Sequence, residues 1–182
     1  MLNSLNLHNF RCFSSEQNIP LGRITLIYGP NSSGKSSILK SLVVMKQTLE
    51  EASLNTNMIT KGQYADIGNF KDFINSHDTK KKYSIKFQFD LTKQKNNRYI
   101  RPYYRTNPPK SISKISIEFF YKNSTSQNNV LNNINLYIND ELQPFLNIEK
   151  TSKKLNTISK FYRIRYSNFQ STKNSNDSPN LY

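Results

Sequence analysis

The chain has 182 residues, enough for one ordinary domain with a core, and a mean hydropathy of −0.71 puts it at the polar end of globular proteins. One cysteine, Cys12, excludes an internal disulfide or a cysteine-built metal site, and no apolar run nears the ~18 residues of a membrane-spanning helix. The start, MLNSLNLHNFRCF, lacks the basic head and apolar block of a secretory signal, so we expect a soluble, cytoplasmic protein without membrane contact.

The net charge of +14 is uneven. Residues 1–79 hold 7 Lys+Arg against 6 Asp+Glu, whereas residues 80–182 hold 19 against 6. The asymmetry suggests a nearly neutral first region and a basic second one.

In chain order, SLNLHNFRCF (4–13) places Leu5, Leu7, Phe10 and Phe13 in near-alternation, which predicts a strand with a break near Asn9. EQNIPLG (16–22) predicts a short second strand ending in a turn at Pro20 and Gly22. RITLIY (23–28) is a compact β-branched and aromatic run and predicts a buried strand. From Gly34 to about Ala52 the pattern turns helical, with Ile38, Leu39, Leu42, Val43, Met45 and Leu49 at three- and four-residue spacing. The helix should end in ASLNTN. Residues 58–79 read as a connector with a short helix at GNFKDFIN.

The remainder predicts an antiparallel meander. YSIKFQFDL (83–91) alternates cleanly, and similar patterns recur at 113–122, 134–140, 144–150 and 160–169. Polar gaps such as KNSTSQNN read as hairpin loops, and the tail 171–182 reads as disordered. With Gly29, Gly34, Lys35 and Ser36 matching G-x-x-x-x-G-K-[ST], a phosphate-binding (P-loop) motif, the expected organisation is a P-loop nucleotide-binding region (1–79), a basic antiparallel β region of the same lobe (80–170) and that tail. The fold class is α/β in the α+β sense: a P-loop strand and helix packed beside the meander.

Between the apolar run and the helix, Gly29, Gly34, Lys35 and Ser36 fill every fixed position of G-x-x-x-x-G-K-[ST]. Gly29 permits a sharp turn off the strand, and Gly34 lets the backbone approach a phosphate without a Cβ in the way. The amides around residues 32–37 can converge on an anion, aided by the positive end of the helix dipole. Lys35 brings a point charge to the β- and γ-phosphates, and Ser36 a hydroxyl for Mg²⁺. The expected ATP-binding set is Gly29, Pro30, Asn31, Ser32, Ser33, Gly34, Lys35, Ser36 and Ser37.

LNLHNFRCF…IPLGRITLIYGPNSSGKSSILKSL resembles the N-terminal lobe of ABC-type ATPases of the RecF, SMC and OLD group. More narrowly, it resembles bacterial AAA-family ATPases, many of which serve DNA repair or anti-phage defence. Asn9, Phe10, Arg11 and Phe13 match the group's NFR-F strand, Pro30, Asn31 and Ser33 match its G-P-N-x-S-G-K-S loop, and KGQYADIGNFKDFI resembles its connector. The resemblance covers residues 1–79. It implies ATP and Mg²⁺ as cofactors, Arg11 beside the nucleotide, and a homodimer in the complete enzyme. A solvated arginine at a strand edge is the other reading of Arg11.

Hydrolysis requires more than phosphate binding. P-loop ATPases carry an acidic residue after a second apolar strand; INLYINDE, with Asp140 and Glu141, is the nearest candidate and reads better as a strand entering an Asn-Asp turn. All five glycines lie in the first 68 residues, so an LSGGQ-like signature is absent from residues 69–182. Gln63 reads as a loop residue. The chain thus looks like the ATP-binding half of a larger ATPase, expected to need a C-terminal lobe or partner subunit, and we assign no catalytic residue. His8 and His77 read as ordinary and Cys12 as a small buried hydrophobe.

In the basic half, NRYIRPYYR (97–105) interleaves arginine and tyrosine, a combination suited to nucleic acid. Lysine-rich edges that keep strands soluble explain the same charge. The alternative function is a non-catalytic basic nucleic-acid-binding or interaction module with a vestigial P-loop; a small-molecule kinase would need acidic and arginine-rich lid motifs later in the chain.

Overall fold

The computed structural model describes residues 1–51, 57–92, 112–124, 129–150 and 162–166. Among these, strands β1 (Leu2–His8), β2 (Gln17–Pro20), β3 (Tyr83–Asp90), β4 (Lys114–Lys122), β5 (Val130–Ile138), β6 (Leu146–Lys150) and β7 (Tyr162–Tyr166) form one antiparallel sheet. Their order is β2-β1-β3-β4-β5-β6-β7. After the N-terminal hairpin, each strand lies beside its successor in sequence, which is the expected meander. The helices are α1 (Lys35–Glu50) and the one-turn α2 (Phe70–Phe73). None of the described helices is long and apolar enough to cross a membrane.

Alternation fixes the register. Leu5 and Leu7 of β1 stand opposite Phe87 and Ile85 of β3, which in turn face Ile117 and Phe119 of β4. A one-residue slip would turn these apolar side chains to the opposite face. A bulge at Asn132 in β5 brings Leu131 opposite Tyr121, returning Leu131 to the apolar side. On the other face the many asparagines bond to one another: Asn133 and Asn147 donate to Asn135 Oδ1 at 3.2 and 2.6 Å, and Asn135 donates to the Tyr137 hydroxyl at 3.0 Å. That hydroxyl donates to Glu118 at 2.9 Å, and burial pushes the phenol up to about 12. Uncharged polarity in the sequence thus becomes a hydrogen-bonded ladder.

The core lies where β1, β3 and the end of β4 meet α1 and α2. Leu5, Leu7, Phe73 and Ile85 are fully buried, with Val44 and Met45 of α1 against them. The Tyr83 ring sits 5.1 Å from Phe10, 5.9 Å from Phe73 and 6.0 Å from Tyr121, within the range of favourable aromatic pairs. Gln47 is a buried amide in this apolar setting. It donates to the Ile59 and Ala65 carbonyls at 2.5 and 3.2 Å and accepts from the Ala65 amide at 3.1 Å. A buried amide is tolerated when satisfied in this way, and these bonds tie the connector to α1.

Two expectations are corrected. The predicted buried strand at 23–28 does not form: Ile24, Leu26 and Tyr28 are 85, 82 and 91% exposed, and no strand is present there. A strand needs a hydrogen-bonding neighbour, and none of the sheet's strands pairs with this segment. Cys12 is exposed rather than buried. Arg11 has a positive φ of 50°, which breaks the alternation and turns Cys12 out of the core. The remaining predicted strands form with ends shifted by a few residues, β5 beginning at Val130. Residues 52–56 of the ASLNTN stretch, the loop segment 125–128, NRYIRPYYR and the tail 171–182 lie outside the described residues.

Candidate functional site

Strand β1 stops where alternation predicts, at Asn9, whose φ is 55°. A second left-handed residue, Arg11, and a tight turn closed by Phe10 and Phe13 main-chain bonds at 3.0 and 2.9 Å reverse the chain. This turn is stitched to the end of α2: the Arg11 amide donates to the Phe73 carbonyl at 2.6 Å, the Asn75 amide donates to the Asn9 carbonyl at 3.1 Å, and Asn75 Nδ2 donates to the Arg11 carbonyl at 2.7 Å. Arg11 is therefore held by backbone contacts to an element more than sixty residues away. The Ser76–His77 pair that follows also has left-handed φ values, 58° and 54°.

Opposite this wall stands the glycine-bounded loop. Gly34 caps α1 with φ 101°, and a Cβ there would lie 2.8 Å from both Cys12 Sγ and the Phe13 ring. Only glycine fits that position, for both reasons. Ser32 is left-handed too, at φ 62°. Turns of this kind point successive amides into one concavity. Among the described residues, the main-chain N–H groups of Ser32, Gly34, Lys35 and Ser36 have no protein acceptor, whereas those of Ser37 and Ile38 bond the Gly34 carbonyl at 2.9 and 3.1 Å. Lys35 Nζ donates to the Gly29 and Pro30 carbonyls at 2.8 and 2.7 Å.

Between the two walls lies a cavity of about 650 Å³. Of the residues expected at the site, the structure brings Arg11, Asn31 and Ser32 to this cavity, with Gly34, Lys35, Ser36 and Ser37. Gly29, Pro30 and Ser33 do not line it; they shape the loop behind it, the Ser33 amide reaching the Pro30 carbonyl at 3.4 Å. Apart from Arg11, sequence reasoning missed the opposite wall. Asp72, Ser76 and His77 border the cavity with Ile67 and Ile74, and only their hydrogen-bonded link to Asn9 and Arg11 puts them there. His77 Nδ1 is 2.7 Å from the Lys71 carbonyl, and Asp72 is engaged by the Asn69 amide at 2.6 Å.

The residues fit a phosphate chain. Arg11 Nε is buried without a hydrogen-bond partner, although its guanidinium packs 6.0 Å from the Phe10 ring. Arg11 thus lines one wall of the cavity, and unpaired amides with the Lys35 ammonium group line the other, an arrangement that suits an anion. Ser36, exposed at the helix start, offers one hydroxyl for a divalent cation. Asp140 does not border this cavity. Asn139 and Asp140 form a turn with φ of 52° and 60°, and Asp140 pairs with Lys114 at 2.6 Å. Gln63 is exposed in the connector and does not border the cavity either.

No curated protein matches the chain. The sequence profile described as AAA domain matches residues 4–180, nearly the whole length and including the second, basic region. The loop that the structure sets against Arg11 thus sits within a match that runs across both regions, and the chain belongs to the AAA domain family of P-loop proteins.

Proposed function

We propose that the chain is the ATP-binding lobe of an ABC-type ATPase and binds ATP with Mg²⁺ in the cavity between the loop 29–37 and Arg11. The observation that carries this reading is that Arg11, whose Nε is buried and unpartnered, lines the same cavity as Lys35 and the unpaired amides of Ser32, Gly34, Lys35 and Ser36. The phosphates would take those amides and Lys35, and Arg11 would meet them from the opposite wall. Bound Mg²⁺ would supply charge neutralisation for the β- and γ-oxygens, with Ser36 as its protein ligand.

Among the described residues no three His, Cys, Asp or Glu converge to hold a metal. Turnover on this reading requires a C-terminal lobe or partner subunit that brings an acidic residue, and the complete enzyme works as a homodimer. Coupling to DNA repair or phage defence in the cytoplasm rests on the resemblance of residues 1–79, and the excess of 19 Lys+Arg over 6 Asp+Glu in residues 80–182 supports a nucleic-acid partner.

Titration with a fluorescent ATP analogue and Mg²⁺ tests the binding. Saturable binding that Lys35→Ala weakens at least about tenfold supports the proposal. Binding of duplex DNA that falls steeply with salt, with no nucleotide binding at all, would favour the basic interaction module instead.

A further inference from the structure

The two walls of the cavity differ in hydrogen-bond polarity. The loop offers chiefly donors: the unpaired amides of Ser32, Gly34, Lys35 and Ser36, and the Lys35 ammonium group. On the opposite wall Arg11 is a donor, but Asp72, Ser76 and His77 present acceptors. Asp72 Oδ2 accepts from the Asn69 amide at 2.6 Å in the capping box of α2, which leaves Oδ1 without a partner among the described residues. Ser76 Oγ commits its one hydrogen to Asn75 Oδ1 at 2.9 Å and keeps only lone pairs. His77 Nδ1 lies 2.7 Å from the Lys71 carbonyl oxygen. A carbonyl only accepts, so Nδ1 carries the hydrogen and Nε2 of the neutral ring is an acceptor.

These groups are fixed by the protein itself. Gly68, at φ 80°, passes so close to Asp72 that a Cβ there would collide with the carboxylate. Ser76 and His77 hold left-handed φ values of 58° and 54°, a conformation that persists only where the surroundings impose it. Buried Asn75 anchors them, accepting from Ser76 and donating to the Arg11 carbonyl. Among the described residues Asp72 forms no ion pair, although Arg11 and Lys35 border the same cavity.

An ionised phosphate chain has no hydrogen to give and is repelled by a carboxylate, so these acceptors suit another part of the nucleotide. Ribose follows the phosphates directly and carries two O–H donors, and carboxylates take ribose hydroxyls in other nucleotide sites. We infer that Asp72, with Ser76 and His77, forms a ribose subsite of this cavity, its carboxylate accepting from the 2′- or 3′-hydroxyl. The inference rests on the ATP reading above and adds a preference for the sugar that phosphate recognition cannot supply.

Calorimetric titration of the full chain with ATP, 2′,3′-dideoxy-ATP and ITP, each with Mg²⁺, tests it. The dideoxy nucleotide should bind at least about tenfold more weakly than ATP, because a hydroxyl on a charged acceptor is lost, and ITP within about threefold of ATP. Asp72→Asn can still accept from the Asn69 amide. It should weaken ATP, leave the dideoxy nucleotide unchanged and shrink their ratio to about threefold or less. The comparison on the parent chain stands even if the variant does not fold. Equal affinities for ATP and the dideoxy nucleotide would overturn the inference and leave the ATP reading intact; no binding of either would remove both. An equal loss of both nucleotides in Asp72→Asn would make the carboxylate a ligand of the metal. Weak ITP beside an undiminished dideoxy complex would give the acceptors to the base amine. Either result overturns the ribose subsite.

Discussion

Lys35 Nζ sits 2.8 Å from the Gly29 carbonyl oxygen, six residues back along its own loop, and 2.7 Å from that of Pro30. The ammonium group is thus held by neutral acceptors at the lip of the cavity, where a phosphate oxygen would compete for it with full charge. Hydrogen bonds involving a charged group are worth about 1.5–3 kcal/mol. Lys35→Ala should therefore weaken ATP by roughly 10- to 150-fold. Both carbonyl bonds of the ammonium group face solvent, so the melting temperature of the ligand-free variant should change little. Calorimetric titration with a parallel thermal melt checks both; affinity equal to the parent protein would remove Lys35 from the site.

Arg11 should show the opposite balance. Its Nε is buried and unpaired in the ligand-free protein, a state that costs free energy. Arg11→Met keeps the unbranched stem and removes that donor. The ligand-free variant should melt at the same temperature or slightly higher, while nucleotide affinity falls. A variant that loses stability yet binds ATP as before would make Arg11 a packing residue, turned toward Phe10 and away from the ligand.

The legible parts of this chain are those set by local chemistry. The loop from Gly29 to Ser37 announces itself because each position answers a steric or electrostatic need over a few residues. The strand break at Asn9 shows as the point where alternation fails. Segment 23–28 carries as strong a strand pattern as any, yet propensity cannot supply a neighbour, and its fate depends on which edge is available. Cys12 departs from its apolar expectation because one left-handed residue, Arg11, inverts the side-chain alternation after it. Ser76 and His77 give no signal in the sequence, since they reach the cavity only through Asn75 and its bonds to Asn9 and Arg11.

Gly34→Ala should separate two causes of strain. The new Cβ would meet Cys12 Sγ and the Phe13 ring, each at 2.8 Å, while φ 101° is unfavourable for alanine whatever the space. Together these should destabilise the protein by about 1–3 kcal/mol in urea unfolding. Cys12→Ala removes one obstacle and leaves the other two. In the double variant part of the loss should return but not all. Complete recovery would show that the clash with sulfur dominates; no recovery would place the strain in the backbone and Phe13.

Alkali should unfold the protein through its buried phenols. Burial, and then the neighbouring Tyr121, hold the Tyr83 phenol above its ordinary value of 10.0, and burial alone does the same for Tyr121. Both groups stay protonated in the folded chain at pH values where the unfolded chain releases the protons. Their contribution is therefore intact below pH 10 and is lost as pH rises above it, by about 1.4 kcal/mol per pH unit for each tyrosine until the folded group itself ionises. Tyrosinate absorbance should appear in two stages, exposed phenols first and the buried pair together with loss of the far-ultraviolet β signal. Tyr83→Phe removes one of the linked protons, to which Tyr137, also raised by burial, contributes as well. The pH dependence of stability above pH 10 should then become shallower by that amount relative to the parent protein. An unchanged slope would mean that Tyr83 ionises inside the intact fold, and that the ring cluster around it opens to hydroxide.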